Sequence, residues 1–470
     1  MQMKKIYNQT RNFVLIAMLV TVLGSCKKSF LEILPKGKVI ATKTADYDLL
    51  LNQLDLINIP ATSQVLLGDE ISFIEPGWTG ATYKEKQLFK WEGDLYNSDE
   101  DASETLIPTR NLYVYNKIIN EVMDATEGTE VNKKSIQAEA YAGRAWTNFL
   151  LIQYFGKPYN PATAATDLGF PLITEADING KNFTRSSVQQ IYDQIISDLT
   201  TAIPNIISDG VPFRSRMSKA AAQGILAKVY VFMGRHAEAL PLLDESIANL
   251  AKSIVITNVV NYNTSFQGSP TTVNDLENVY SKNMSYGYAG ASNRLIWLTP
   301  EAASLFGPTD TRLIRQFLVT TYPNGLKLYK RTNTLSYNIG LKVPELYLLR
   351  AEVKTRLDDL SGAVADLVYL RQNRMPAADA GVPVLTAAAK MPLLQFVMEE
   401  RIREFAVTGY RWFDMRRLSV DPLFTIPVYQ HKVYNVDGVV SETYNFKPER
   451  FVFKFSPKVL AENPTLQDNL

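Results

Sequence analysis

Cysteine occurs once in this 470-residue chain and histidine twice. A single cysteine, Cys26, excludes an intramolecular disulfide framework. Two histidines, His236 and His431, leave a histidine-rich metal site or a serine or cysteine triad little to draw on. The H-E-x-x-H, C-x-x-C, G-x-S-x-G and P-loop patterns are missing, and Gly287-Tyr288-Ala289-Gly290 lacks the spacing of a dinucleotide loop. An excess of one charge is missing too. Lysine and arginine number 49 against 48 aspartates and glutamates, a formal net charge of +1 that offers nucleic acid no field. Apolar runs stay below the roughly 20 residues needed to cross a bilayer.

What is present begins with a leader. Lys4, Lys5 and Arg11 precede an apolar run from Phe13 to Leu23, and Gly24, Ser25 and Cys26 follow it. Basic residues, a short apolar core and small residues at the cut predict a signal peptide over 1–25. A cysteine directly after the cut is the acceptor that lipoprotein processing requires, so the mature chain is expected to start at Cys26 and to carry a lipid there. Residues 26–40 lack a clear period and read as a tether. The remainder, 41–470, is long enough for one large or two medium domains, with ample apolar content for a core.

Helical spacing dominates that remainder. Apolar residues recur at i, i+3 and i+4 in Ala45–Ile57, Leu112–Met123, Ile136–Tyr154, Val188–Ile203, Lys219–Met233, Ala237–Leu250, Val343–Leu357, Ser361–Arg371 and Leu393–Phe405. Ser186 and Gln189 have capping-box spacing before the fourth of these. Ala227, Tyr230, Gly234 and Ala239 stand at the spacing of a tetratricopeptide unit, and Ala351 and Ala363 repeat the separation of the two alanines, with Asp358 in place of the turn glycine. Ordinary helical hairpins would give the same spacing. Two long excursions, 61–101 and 251–341, break the helical pattern and are expected to be loop-rich; long loops in a compact protein usually carry function.

Two polar or aromatic clusters are candidates for chemistry. Glu399 to Glu404 and Gly409 to Arg417 hold the densest charge, and a carboxylate pair there could serve a glycoside hydrolase. Each of those carboxylates has an arginine within a helical turn, however, which lowers its pKa and favours a structural role. The 24 Tyr, 21 Phe and 5 Trp could fill a thick core or face a ligand. Aromatic rings edged by amide and guanidinium donors suit sugar rings and their hydroxyls. Trp78, Tyr286, Tyr288, Asn293, Arg294 and Trp297 offer that mixture within the excursions and are the candidate ligand-binding residues. Trp91 either joins them or braces its loop against the first helices.

Several motifs follow one another along the chain: Cys26 with Phe30-Leu31-Glu32 and Pro35; Gln137-Ala138-Glu139-Ala140 with Arg144-Ala145 and Tyr154-Phe155-Gly156; Arg185-Ser186-Ser187-Val188; Asp310-Thr311-Arg312; Pro344-Glu345-Leu346-Tyr347; Glu400-Arg401, Glu404-Phe405, Gly409, Arg411-Trp412 and Asp414; and Asn463-Pro464 with Asn469. Their order resembles the SusD (RagB/SusD) family of outer-membrane nutrient-binding lipoproteins. The resemblance implies a single mainly α, SusD-like domain over 41–470, with four tetratricopeptide-like helical pairs and irregular insertions forming the ligand face. It also implies a lid over a SusC-like TonB-dependent transporter that captures an oligosaccharide, or a peptide, and passes it inward without cofactor or catalysis.

Overall fold

Apolar faces at helical spacing need partners, and in this protein they find them in pairs. The computed structural model describes residues 41–180, 182–207, 213–252, 258–265, 275–285, 296–332 and 336–469. Lys43–Leu470 form one unit, to which all elements named here belong. Cys26 lies outside the described residues, as do Tyr286, Tyr288, Asn293 and Arg294. Among the described residues no helix is long and apolar enough to cross a membrane.

The scaffold helices are α1 (Ser103–Glu121), α2 (Glu130–Phe155), α3 (Val188–Ala202), α4 (Lys219–Phe232), α5 (His236–Leu250), α6 (Val343–Arg356), α7 (Leu360–Gln372), α8 (Lys390–Phe405) and α9 (Tyr410–Leu418). Four neighbouring pairs, α1 with α2, α2 with α3, α4 with α5 and α6 with α7, pack side by side. Small residues set the approach: a Cβ on Gly143 of α2 would lie 2.3 Å from the Tyr115 ring of α1. A charge pair ties the next contact, with Arg144 of α2 donating to both oxygens of Asp198 on α3 at 2.8 and 2.7 Å. The repeat read from alanine spacing is geometric as well. Ala227, Ala239, Ala351 and Ala363 are all fully buried. Gly234 and Asp358, between the helices of each hairpin, both take left-handed backbone, at φ 74° and 66°. Aspartate is one of the few residues that tolerates this conformation, which explains how it replaces glycine.

Three sequence expectations shift. Ala45–Ile57 forms two short helices, Thr44–Leu50 and Leu54–Ile57, and leaves Leu49 and Leu54 exposed. Helix α3 is capped one residue later than expected, by Ser187 with Gln190, because the backbone of Ser186 is already paired to Gly169 and Phe170. Helix α1 starts at Ser103, not Leu112. Tertiary contacts override local signal there: Glu104 in its first turn is fully buried, accepts from Ser63 at 2.5 Å and from Tyr96, and pairs with Lys84 at 3.2 Å.

The two excursions are more ordered than the sequence suggests. They contribute β1 (Ile71–Ile74), β2 (Ile296–Leu298), β3 (Phe317–Thr321) and β4 (Lys327–Arg331) to a six-stranded sheet completed by β5 (Gln430–Tyr434) and β6 (Val440–Asn445). The strand order is β6-β5-β1-β2-β4-β3. Strand β1 runs parallel to β5 and antiparallel to β2. Such short strands show no readable alternation, and β1 is buried along its whole length.

Candidate functional site

Period-two geometry sorts the sheet residues onto two faces. Ile71, Phe73, Ile296, Leu298 and Val433 enter the main core. Ile74, Leu328 and Tyr434 form a separate apolar cluster, with Trp297, Tyr322 and Leu326 packed on it and only partly buried. Register places Ser72 opposite Trp297 and Ile74 opposite Tyr434. This second face therefore gathers aromatic and aliphatic side chains from β1, β2, β4 and β5 around the half-buried indole of Trp297. Lys432 of β5 is paired with Glu301 at 2.7 Å.

The structure treats the candidate tryptophans differently. Trp297 stands on the second face and is half-buried there. Trp78 is only 5 % exposed, lies edge-on to Phe73 with centroids 5.3 Å apart, and donates its Nε1–H to Glu442 at 3.0 Å. Its ring is part of the core between the first excursion and the C-terminal hairpin. Trp91 is fully buried, adopts left-handed backbone at φ 53° and stacks on His431 at 3.7 Å. It braces its loop against β5, and its Nε1–H donates to the Leu67 carbonyl at 3.1 Å. Phe89 covers the other face of the imidazole at 4.2 Å, and burial pushes the ring's pKa down to about 4.

The charged cluster near the C-terminus is a buried ion network. Glu400 is fully buried and meets Arg312, Arg371 and Arg403 at 2.7, 2.7 and 2.8 Å. Burial alone would raise its pKa, but the three guanidiniums, Arg312 foremost, pull it down to about 2. Arg401 pairs with Asp414 across the α8–α9 turn, and Arg417 grips both oxygens of Glu352 on α6. These pairs join helices more than they brace one. A carboxylate so enclosed is an acceptor for arginine, and it has neither access to substrate nor a proton to give near neutral pH.

Two buried groups, Lys282 against α1 and α2 and Glu70 beside the sheet, carried no sequence signal. Lys282 is 1 % exposed, donates to the Leu56 carbonyl and to Tyr115 Oη at 3.2 Å, and sits 4.6 Å from the centre of the Tyr280 ring; burial lowers its pKa to about 7. Glu70, beside β1, is 2 % exposed, and burial, then the neighbouring Asp69 charge, raise its pKa to about 7. Pairing and burial depend on residues far apart in the chain, so spacing could not reveal either.

Comparison with known proteins agrees with the architecture. A family model described as "Starch-binding associating with outer membrane" matches residues 30–231, and one described as "SusD family" matches residues 261–461. The chain belongs to the SusD family. Solved structures share the SusD-like fold: a SusD superfamily protein from Bacteroides vulgatus is 21 % identical with a TM-score of 0.70, over 91 % of this chain and 99 % of its own. One from Bacteroides thetaiotaomicron is 17 % identical with a TM-score of 0.71, over 91 % and 100 %. A SusD-like carbohydrate binding protein from Bacteroides vulgatus is 16 % identical with a TM-score of 0.69, over 90 % and 97 %. No curated protein matches this chain. In this SusD-family chain the helical pairs are the scaffold, and the excursions together with β5 supply the sheet face on which Trp297 stands.

Proposed function

We propose that this protein is a lipid-anchored, surface-exposed outer-membrane protein that captures oligosaccharide and hands it to a SusC-like TonB-dependent transporter. The observation that carries the reading is half-buried Trp297 on an apolar sheet face built from the excursions and β5 of a SusD-family scaffold. A flat aromatic surface stacks on the apolar side of a sugar ring. Tyr286, Tyr288, Asn293 and Arg294, in the segment leading into β2, would add further rings and hydroxyl partners. Trp78 would support the face from within the core. Cys26 would hold the protein at the membrane, with a length of chain that lets the body move over its partner.

A glycan array with the purified protein, followed by calorimetry on the best ligand, tests the capture step. Micromolar to millimolar binding without product formation is expected, weakened at least tenfold in Trp297→Ala. Equal affinity in that variant would remove Trp297 from the site. A blank glycan array with binding to a peptide library would overturn the sugar reading. Cys26→Ser should release the protein from the membrane fraction, and co-purification of the native protein with a transporter barrel tests the partnership.

A further inference from the structure

The edge of a sheet leaves a row of backbone donors and acceptors unpaired, and folded proteins blunt it with charge, proline, a bulge or a covering segment. The two edges of the six-stranded sheet are treated differently. At β6 the register shifts between Val440 and Glu442, and the Glu442 carboxylate stands in the strand, accepting from the Trp78 indole and the Tyr444 hydroxyl. At the opposite edge β3, Phe317-Leu318-Val319-Thr320-Thr321, has no charge, proline, glycine or register shift. Leu318 and Val319, on opposite faces of the strand, are 62 % and 53 % exposed, and Ile314 just before it is 62 % exposed. The hairpin fixes which backbone groups point outward. Thr332 donates its N–H to the Gln316 carbonyl and Tyr322 donates to that of Leu326. By the alternation of an antiparallel ladder, Leu318 and Thr320 also bond toward β4, while Phe317, Val319 and Thr321 turn their N–H and C=O groups away from it. Among the described residues no strand pairs with that side of β3.

We propose that β3 pairs with β3 of a second copy of this chain, antiparallel and centred on Val319. The strand is complementary to itself. Its outward row, Phe317, Val319 and Thr321, is symmetric about Val319, so a two-fold axis there sets Phe317 opposite Thr321 and Val319 opposite its own copy. Each opposing pair then exchanges both of its N–H···O bonds. Between them Leu318 meets Thr320 on one face, where the side chains come closest. With no charge in the strand, no like charges meet across the axis. Such a contact uses the same surface on both copies and closes at two, so it does not propagate into fibres. The axis stands perpendicular to the joined sheet, which keeps the second faces of both copies on one side. A five-residue edge buries less than the roughly 1,200–2,000 Å² of a stable interface, so the pair is weak and reversible.

Sedimentation velocity of the full chain carrying Cys26→Ser, from about 10 μM to about 1 mM, tests the proposal. The weight-average mass should rise with concentration. Val319→Lys, which sets two ammonium groups opposite each other across the axis, should weaken the association at least tenfold; Val319 is exposed, so the fold is kept. Disulfide trapping in the same background, which has no other thiol, reads the register. Cα atoms of a hydrogen-bonded pair stand about 5.5 Å apart, within the span of a disulfide. Val319→Cys should therefore form a covalent dimer at least tenfold faster than Thr443→Cys, on the blunted edge β6. A protein that stays monomeric at every concentration overturns the proposal and leaves the edge to a strand of a different protein. Association unchanged by Val319→Lys, or equal trapping at the two edges, overturns it as well.

Discussion

Replacing Glu70 by glutamine removes a charge that the fold resists. The carboxyl is 2 % exposed; its Oε1 accepts a long 3.3 Å bond from the Val407 amide, and its Oε2 has no hydrogen-bond partner among the described residues. Burial, and after it the Asp69 charge, lift its pKa from 4.5 to about 7. The sign follows from linkage. Below pH 4.5 the group is protonated in folded and unfolded chains, and its full contribution to stability is present. As pH rises from about 4.5 to about 7 the unfolded chain ionises first, and that contribution is lost. At about 1.4 kcal/mol for each pH unit, the loss above pH 7 is about 3 kcal/mol. Glu70→Gln cannot ionise, so relative to the parent it should gain about 3 kcal/mol between pH 4.5 and pH 8. Urea unfolding of both proteins at a series of pH values measures this, because every other titrating group is common to the pair. A stability difference that stays flat across the range would refute the reasoning.

Other outcomes follow from the same geometry. Glu400→Gln leaves Arg312, Arg371 and Arg403 short of a buried counter-charge and should cost about 3–5 kcal/mol by denaturant unfolding. Gly409, which precedes α9, sits at φ 88°, and a Cβ there would lie 2.4 Å from the side chain of buried Gln64. Gly409→Ala should therefore cost about 2 kcal/mol or more in the same assay. His431 has both ring nitrogens 2.7 Å from backbone carbonyls, of Phe89 and Gly68. A neutral ring donates to only one of them, yet burial holds the pKa near 4. Nitrogen NMR, with His236→Gln to assign the two histidines, should show His431 neutral down to about pH 5. Titration above pH 6 would instead mean an imidazolium held by both carbonyls.

Much of the scaffold was legible because helix signals are local. Three- and four-residue spacing located the paired helices, and the alanine separations located two hairpins whose left-handed turns at Gly234 and Asp358 match. The motif order from Arg144 to Asp414 gave the family. The sheet was not legible. Its strands come from residues 71–74, 296–331 and 430–445, and pairing across such distances leaves no trace in a short window.

The tryptophans show where that boundary falls. Composition and loop context made Trp78 and Trp297 candidates alike and left Trp91 between the site and a bracing role. Only tertiary structure separated them, because exposure depends on which face of a strand a residue occupies and on what arrives to cover it. The C-terminal hairpin covers Trp78 through Glu442 and Trp91 through His431. Trp297, alternating with the buried Ile296 and Leu298, is turned to the other face. The sequence by itself determined the helical periods, the leader pattern and the arginine–glutamate spacing. Burial, long-range pairing and the pKa values of Glu70 and His431 were decided by the fold, since they arise from groups that meet only when the chain is folded.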